Sequence, residues 1–378
     1  MTVAIEPCFN FNHMHADRFF KSLIKPIFNT KRTRQILQVN PTAASIHKEA
    51  ATVKICVYDY NGNSINEKEL KEVAHLVEFK QNNNVSWINI DGLNKPDVEK
   101  VCSEFDIHPL IVEDILSKGQ RPKMDEIDPI QYCLLNMMYF NEERYSVELE
   151  QISIVLGLNF VLTFQEDPER DVFNLLREKL KIQQTKLRQK GADYLCYSLL
   201  DLIVDHYYEV MEKLGEKIEL LEEEIIKSAD VHSLARINNF RKEFIVLRRN
   251  IIPVRDLING FIKSDSNLLD ESVKKYFKDI YDHIIQASDL VDNYRDMVNN
   301  LQELYISKVN LKLNEVMKVI AVVTCFLAPA TVIGGIFGMN FDVIPFARSH
   351  WAFYLTVFFM LVIVPVSMFI IFKKRKWF

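Results

Sequence analysis

The chain has 378 residues, room for two or three structural units, and its 46 basic and 51 acidic side chains give a formal net charge of -5. A nucleic-acid binder normally shows a basic excess, so the balance argues against that class. Six cysteines, with none in a CxxC pair or beside a histidine at ligand spacing, argue against a zinc site and suit a reducing compartment.

In chain order, residues 1–50 read as a tail bearing Arg18, Lys21, Lys25, Lys31, Arg32 and Arg34 against few acids. The opening MTVAIEPCFNFNHMH has no basic stretch leading into an apolar core, so a secretory signal is not expected. Residues 51–170 alternate between strand-like and helix-like stretches and are expected to form a cytosolic α/β domain. ATVKICVYDY, VSWINIDGL, PIQYCLLNMMYF and VELEQISIVLGLNFVLTFQE are rich in β-branched and aromatic residues, whereas KPDVEKVCSEF and PLIVEDILS read as short helices. The segment has no glycine-rich phosphate loop and no nucleophile–base motif, so no enzymatic role is expected.

Residues 171–318 read as long helices and a stalk. Leu195, Leu199, Leu202, Ile203, His206, Tyr207 and Val210 recur at three- and four-residue steps and make one apolar face. His206 on that face reads as a packing residue more readily than as a ligand. The helix is expected to break near Ser228–Ser233, and a later one to start near Asp270 and continue into an uncharged run. That run (319–341) and a second (351–372) are each near the ~20 residues that cross a bilayer as a helix. Each holds a proline, Pro329 or Pro365, which membrane helices tolerate. The intervening loop (342–350) has Arg348 as its single basic residue, while Lys308, Lys312 and Lys318 precede the first run and the tail (373–378) carries Lys373, Lys374, Arg375 and Lys376. The positive-inside rule then puts both termini in the cytoplasm, with Trp351 and Trp377 at the two interfaces.

Along the first run, Asn314, Met317, Ala321, Thr324, Ala328, Thr331, Gly335 and Gly338 fall on one stripe, and all but Met317 are small or polar. Val316, Ile320, Val323, Phe326, Leu327, Ile333, Ile336 and Phe337 are bulky and apolar. Close helix packing through small residues and a narrow conduit lined by neutral oxygens both fit this stripe. Two helices per chain cannot enclose a water-filled path, so a conduit would need several subunits around a symmetry axis.

Gly338-Met339-Asn340 at the end of the first run, the whole of NEVMKVIAVVTCFLAPATVIGGIFGMNF, and the segments SWINIDGL, HPLIVEDILSKGQRPK and YFKDIYDHIIQASDLVDNYRD together resemble the CorA family of magnesium and cobalt transport proteins. The resemblance extends from about residue 50 to the C-terminus. It implies an α+β membrane protein, with an N-terminal cytosolic α/β domain, a long helical stalk and two C-terminal transmembrane helices, assembled as a funnel-shaped homopentamer. The implied selectivity filter is Gly338, Met339 and Asn340, with Asn314, Thr324, Ala328, Thr331 and Gly335 lining the pore and Met317 and Ile320 forming a hydrophobic constriction. Lys318, Lys373, Lys374, Arg375 and Lys376 would form a basic collar. Regulatory cations would sit between subunits, held by Glu113 and Asp114 of one and Asp279 with His283 of the next.

The implied activity is potential-driven influx of Mg2+, with Co2+ or Ni2+ as further cargo, gated by internal magnesium. The implied setting is lipid, in a cell inner (plasma) membrane. A zinc transporter on the same scaffold and a membrane-tethered cytosolic sensor are the alternatives. One departure is the loop segment Ile344-Pro345-Phe346-Ala347, where the family often places an acid after the proline.

Overall fold

The computed structural model describes residues 53–70, 73–80, 82–167, 170–339 and 350–375. Two compact units are present: Met1–Glu223 with Val231–Asn300, and Glu224–Asp230 with Leu301–Phe378.

In the first unit, β1 (Lys54–Tyr60), β2 (Ile65–Leu70), β3 (Val85–Asp91), β4 (Lys123–Ile127), β5 (Ile130–Asn141), β6 (Ser146–Leu156) and β7 (Phe160–Gln165) form one sheet in the order β2-β1-β3-β7-β6-β5-β4. The β3–β7 pair is parallel, Ser86 standing opposite Phe160, and the other pairs are antiparallel. Strand alternation sends Ile55, Val57, Ile88, Ile90, Leu162 and Phe164 to one face. There they bury against Val98, Val101 and Phe105 of the α1 region (α1, Lys95–Glu104) and Ile111 and Ile115 of α2 (Pro109–Leu116). The α2 helix is fixed at both ends. Pro109 occupies its first turn, His108 Nδ1 accepts from Leu110 N at 3.2 Å, and Gln151 Nε2 on β6 donates to the Asp114 carbonyl at 3.1 Å.

The other face carries Tyr58 and Trp87, and the Arg177 guanidinium of α3 (Asn174–Lys181) lies 5.4 Å from the Trp87 ring and 5.7 Å from the Tyr58 ring. A buried polar chain crosses here. Trp87 Nε1 donates to Thr163 Oγ1 (3.0 Å), Thr163 Oγ1 to Asn89 Oδ1 (2.6 Å), and Asn89 Nδ2 to Asp91 Oδ1 (2.8 Å). Burial, reinforced by Asp171, pushes the Asp91 carboxyl up to about 6 although Asn89 and Arg177 oppose the shift. Burial likewise pushes Glu150 up to about 7, against the bonds it accepts from Asp167 N and Tyr139 Oη.

Both folded-state values lie above the ordinary carboxylate range, so the folded chain binds more protons than the unfolded one and stability falls as pH rises toward 6 to 7. In magnesium-free buffer, the double variant Asp91→Asn, Glu150→Gln is expected to lose part of the wild type's stability gain between pH 8 and pH 5, measured by thermal unfolding. Parallel pH profiles for the two proteins would refute the assignment.

The long helices α4 (Ala192–Lys227) and α5 (Val231–Lys263) are tied to the sheet by buried polar contacts. Tyr207 Oη donates to Asn136 O (2.7 Å), Asn136 Nδ2 to Asn250 Oδ1 (2.8 Å) and Val147 N to Glu243 Oε2 (2.8 Å). Of the segment read from sequence as long helices and a stalk, residues up to Glu223 and Val231–Asn300 share a compact unit with the sheet. The next helix, α6, runs Glu271–Gly338 with Pro329 inside it and no break. Asp270 caps its start, accepting from Ser272 N at 2.7 Å.

In the second unit α7 (His350–Phe358) and α8 (Val364–Lys374) are joined by a π-helical turn, Phe359–Ile363, just ahead of Pro365. A proline removes one i→i−4 bond, and a wider turn in that position absorbs the mismatch. Together these segments span roughly 37 Å at 1.5 Å per residue.

Candidate cation sites

The C-terminal part of α6 holds the small and polar stripe. Asn314, Met317, Thr324, Ala328, Thr331, Gly335 and Gly338 are all exposed in the single chain, as are the bulky Val319, Ile320, Val323 and Leu327 on the rest of the helix. By length and composition α6 can cross a membrane, and its apolar stretch is almost wholly exposed in the single chain, Val322 excepted. Phe326 meets Phe372 of α8 with ring centroids 6.1 Å apart.

The two threonines share one feature. Thr324 Oγ1 donates to Ile320 O at 2.8 Å, and Thr331 Oγ1 to Leu327 O at 3.0 Å. With each hydroxyl proton committed to the helix, the oxygen offers only lone pairs to whatever passes. Water bound to a cation is a hydrogen-bond donor, so such oxygens suit a hydrated ion. Met339 follows the last turn of α6; Asn340 and Lys376 lie outside the described residues. Lys318 is half-buried, and Lys373, Lys374 and Arg375 are exposed.

The regulatory residues expected from sequence fall in two places. Glu113 and Asp114 lie on α2, Asp279 and His283 one turn apart on α6. Among the described residues no hydrogen bond or ion pair joins the first pair to the second within one chain. Glu113 is exposed, but Asp114 is engaged at both oxygens. Its Oδ1 accepts from Gln120 Nε2 at 2.7 Å and its Oδ2 from Lys123 Nζ at 2.5 Å.

His283 instead meets two carboxylates that the sequence reading did not single out. Atoms of Asp201, Asp205 and His283 that can hold a metal all lie within 4.8 Å of one another. Asp201 and Asp205 sit four residues apart on α4, which puts both on one helix face beside α6. Tyr197 Oη donates to Asp201 Oδ2 at 3.2 Å. Burial and the neighbouring Asp205 raise the Asp201 carboxyl above its ordinary value, with the Tyr197 bond and His283 opposing. His283 Nδ1 is buried without a hydrogen-bond partner. A cation would relieve the mutual repulsion of the acids and take the imidazole as a further ligand, so the residues fit a divalent ion. The one signal available in the sequence was a pair of acids at i, i+4 within the mostly apolar stretch 194–208 of α4. His206 packs instead, its ring edge-on to Tyr139 at 5.6 Å and its Nδ1 3.0 Å from Glu209 Oε2.

Comparison with known proteins bears on what these sites serve. The family described as CorA-like Mg2+ transporter protein matches residues 82–375. The cobalt/magnesium transport protein CorA of Thermotoga maritima is 36% identical over 325 residues, covering 86% of this chain and 92% of that protein. A protein of the same name from Methanocaldococcus jannaschii is 22% identical over 314 residues, covering 83% and 96% of the two chains. The complete structure of the CorA magnesium transporter from Methanocaldococcus jannaschii has a TM-score of 0.71 at 22% identity, and the match covers 87% of this chain and 100% of that one. The chain therefore belongs to the CorA-like Mg2+ transporter family.

Proposed function

We propose that the protein is one subunit of a funnel-shaped homopentameric channel that carries magnesium, with cobalt as a second cargo, down the membrane potential into the cell. Two spans per chain, 319–341 and 351–372, cross the membrane with both termini cytoplasmic, and five copies of α6 surround the pore. The observation that carries this reading is α6 itself. One helix bears Asp279 and His283 near its start and the oxygen-bearing stripe near its end.

Magnesium sheds its waters reluctantly, so a path for it should bind the hydrated ion. The acceptor-only hydroxyls of Thr324 and Thr331 and the amide of Asn314 supply such contacts, and Gly338, Met339 and Asn340 form the outer filter. Met317 and Ile320 form a constriction that closes by dewetting. Lys318 and the 373–376 cluster form the basic collar. Regulatory magnesium bridges Glu113 and Asp114 of one subunit to Asp279 and His283 of the next, and Asp201 and Asp205 add ligands on the His283 side. When internal magnesium falls, the bridging ions leave and the population shifts to the open state.

A divalent ion gains about 4.6 kcal/mol per 100 mV of inside-negative potential. Magnesium uptake into proteoliposomes holding the full chain is therefore expected to rise with that potential and to exceed uptake into protein-free vesicles. Zinc flux without magnesium flux, or neither at low internal magnesium, would sink this function.

A further inference from the structure

The two neighbouring acids of α2 differ in one respect that bears on regulation. Glu113 is exposed and has no hydrogen-bond or ion-pair partner among the described residues. Asp114, by contrast, already carries a cation. Lys123 Nζ lies 2.5 Å from Asp114 Oδ2 and 3.1 Å from Asp125 Oδ2, and the Asp114 side chain is only 19% exposed. Gln120 Nε2 takes the other Asp114 oxygen.

The ammonium is delivered by rigid backbone. Lys123 is the first residue of β4 and pairs with Leu134 of β5, so it is part of the sheet. The α2 end it faces is held by Gln151, which donates to the Asp114 and Ile115 carbonyls. The turn between them is anchored as well, because Lys118 pairs with Glu166. A cation tethered at this distance has a high effective concentration at its carboxylate.

We propose that Lys123 is a built-in competitor for the regulatory cation. Its ammonium occupies the Asp114 carboxylate, a divalent ion must displace it or bind against its charge, and Lys123 thereby sets the internal magnesium level at which the channel closes. The proposal rests on the regulatory reading of Asp114 given above. It makes the sensor an exchange of one cation for another, with its threshold raised by the competitor. Asp125 holds the displaced ammonium, because it already shares Lys123.

The test uses the full chain in lipid nanodiscs and follows protection from protease as free Mg2+ is raised. Removing a partly exposed pair of this kind is worth about a fivefold change in a binding equilibrium. Lys123→Met is therefore expected to lower the magnesium midpoint about fivefold, and Lys123→Arg to leave it within about twofold of wild type. Asp125→Asn, which leaves the ammonium wholly to Asp114, is expected to raise it. Thermal unfolding in EDTA shows which variants are folded, and midpoints are compared among those. An unchanged midpoint in folded Lys123→Met, alongside a shifted one in Asp279→Asn, overturns the competitor role and leaves magnesium regulation standing. A wild type whose protection ignores magnesium overturns the regulatory reading and the competitor with it.

Discussion

Asn340→Ala is expected to cut potential-driven magnesium uptake by about 100-fold or more, with the protein still folded and inserted. A hundredfold loss corresponds to about 2.7 kcal/mol. Shared over the ring of five carboxamides that the proposed pentamer would form, that is about half a kcal/mol per subunit, well below the roughly 1.5–3 kcal/mol of one hydrogen bond to a charged partner. The ring would act on the hydrated ion, and α6 contains no carboxylate beyond Glu315 to replace it. Thr324 and Thr331 lie deeper along the stripe and offer acceptor oxygens only. An amide at the entrance would therefore be the first uncharged group to receive the hydrated ion from bulk water. Asn340→Gln, which keeps the amide one methylene further out, is expected to retain more flux than the alanine variant. Equal flux in Asn340→Ala and wild type would move the filter elsewhere.

Much of the fold can be read from residue order where the signal is local. The runs KICVYDY and SWINID became β1 and β3, and PLIVEDILS became α2, which starts at Pro109. The break near 228 and the start near 270 also match the ends of α4, α5 and α6. Local reading fails where the strand has no buried face. The edge strand β2, INEKEL, is largely exposed and charged, and β4, KMDEI, lies at the opposite edge, so neither shows apolar alternation. The stretch 147–166 read as one strand-like run, yet it turns at Gly157, where a Cβ would fall 2.3 Å from the Phe160 ring.

Strand order is a further limit. The parallel β3–β7 pair joins segments about seventy residues apart, and no periodicity reports that. The sites show the same division. The stripe on α6 is a local repeat and was legible. The meeting of Asp201 and Asp205 with His283, and of Lys123 with Asp114, depends on how separate elements pack.

Removing magnesium is expected to lower the apparent unfolding temperature of the assembled protein, and the acidic variants separate where the ion sits. An ion that binds only the folded form at a hundred times its Kd adds about 2.7 kcal/mol per site, or about 14 kcal/mol over the five equivalent sites of the proposed pentamer. Asp201 and Asp205 approach each other at His283, so an ion there relieves repulsion inside one chain. Glu113 can contribute only if a second chain brings it to Asp279 and His283. If regulatory magnesium bridges subunits, Glu113→Gln, Asp279→Asn and Asp201→Asn should each remove most of the stabilisation. If the ion is held within one chain, Asp201→Asn should remove it and Glu113→Gln should not. Full stabilisation by magnesium in all three variants would leave none of these acids as ligands. The bridged outcome is the one that couples ion loss to a looser ring, because only a shared ion ties the separation of two subunits to internal magnesium.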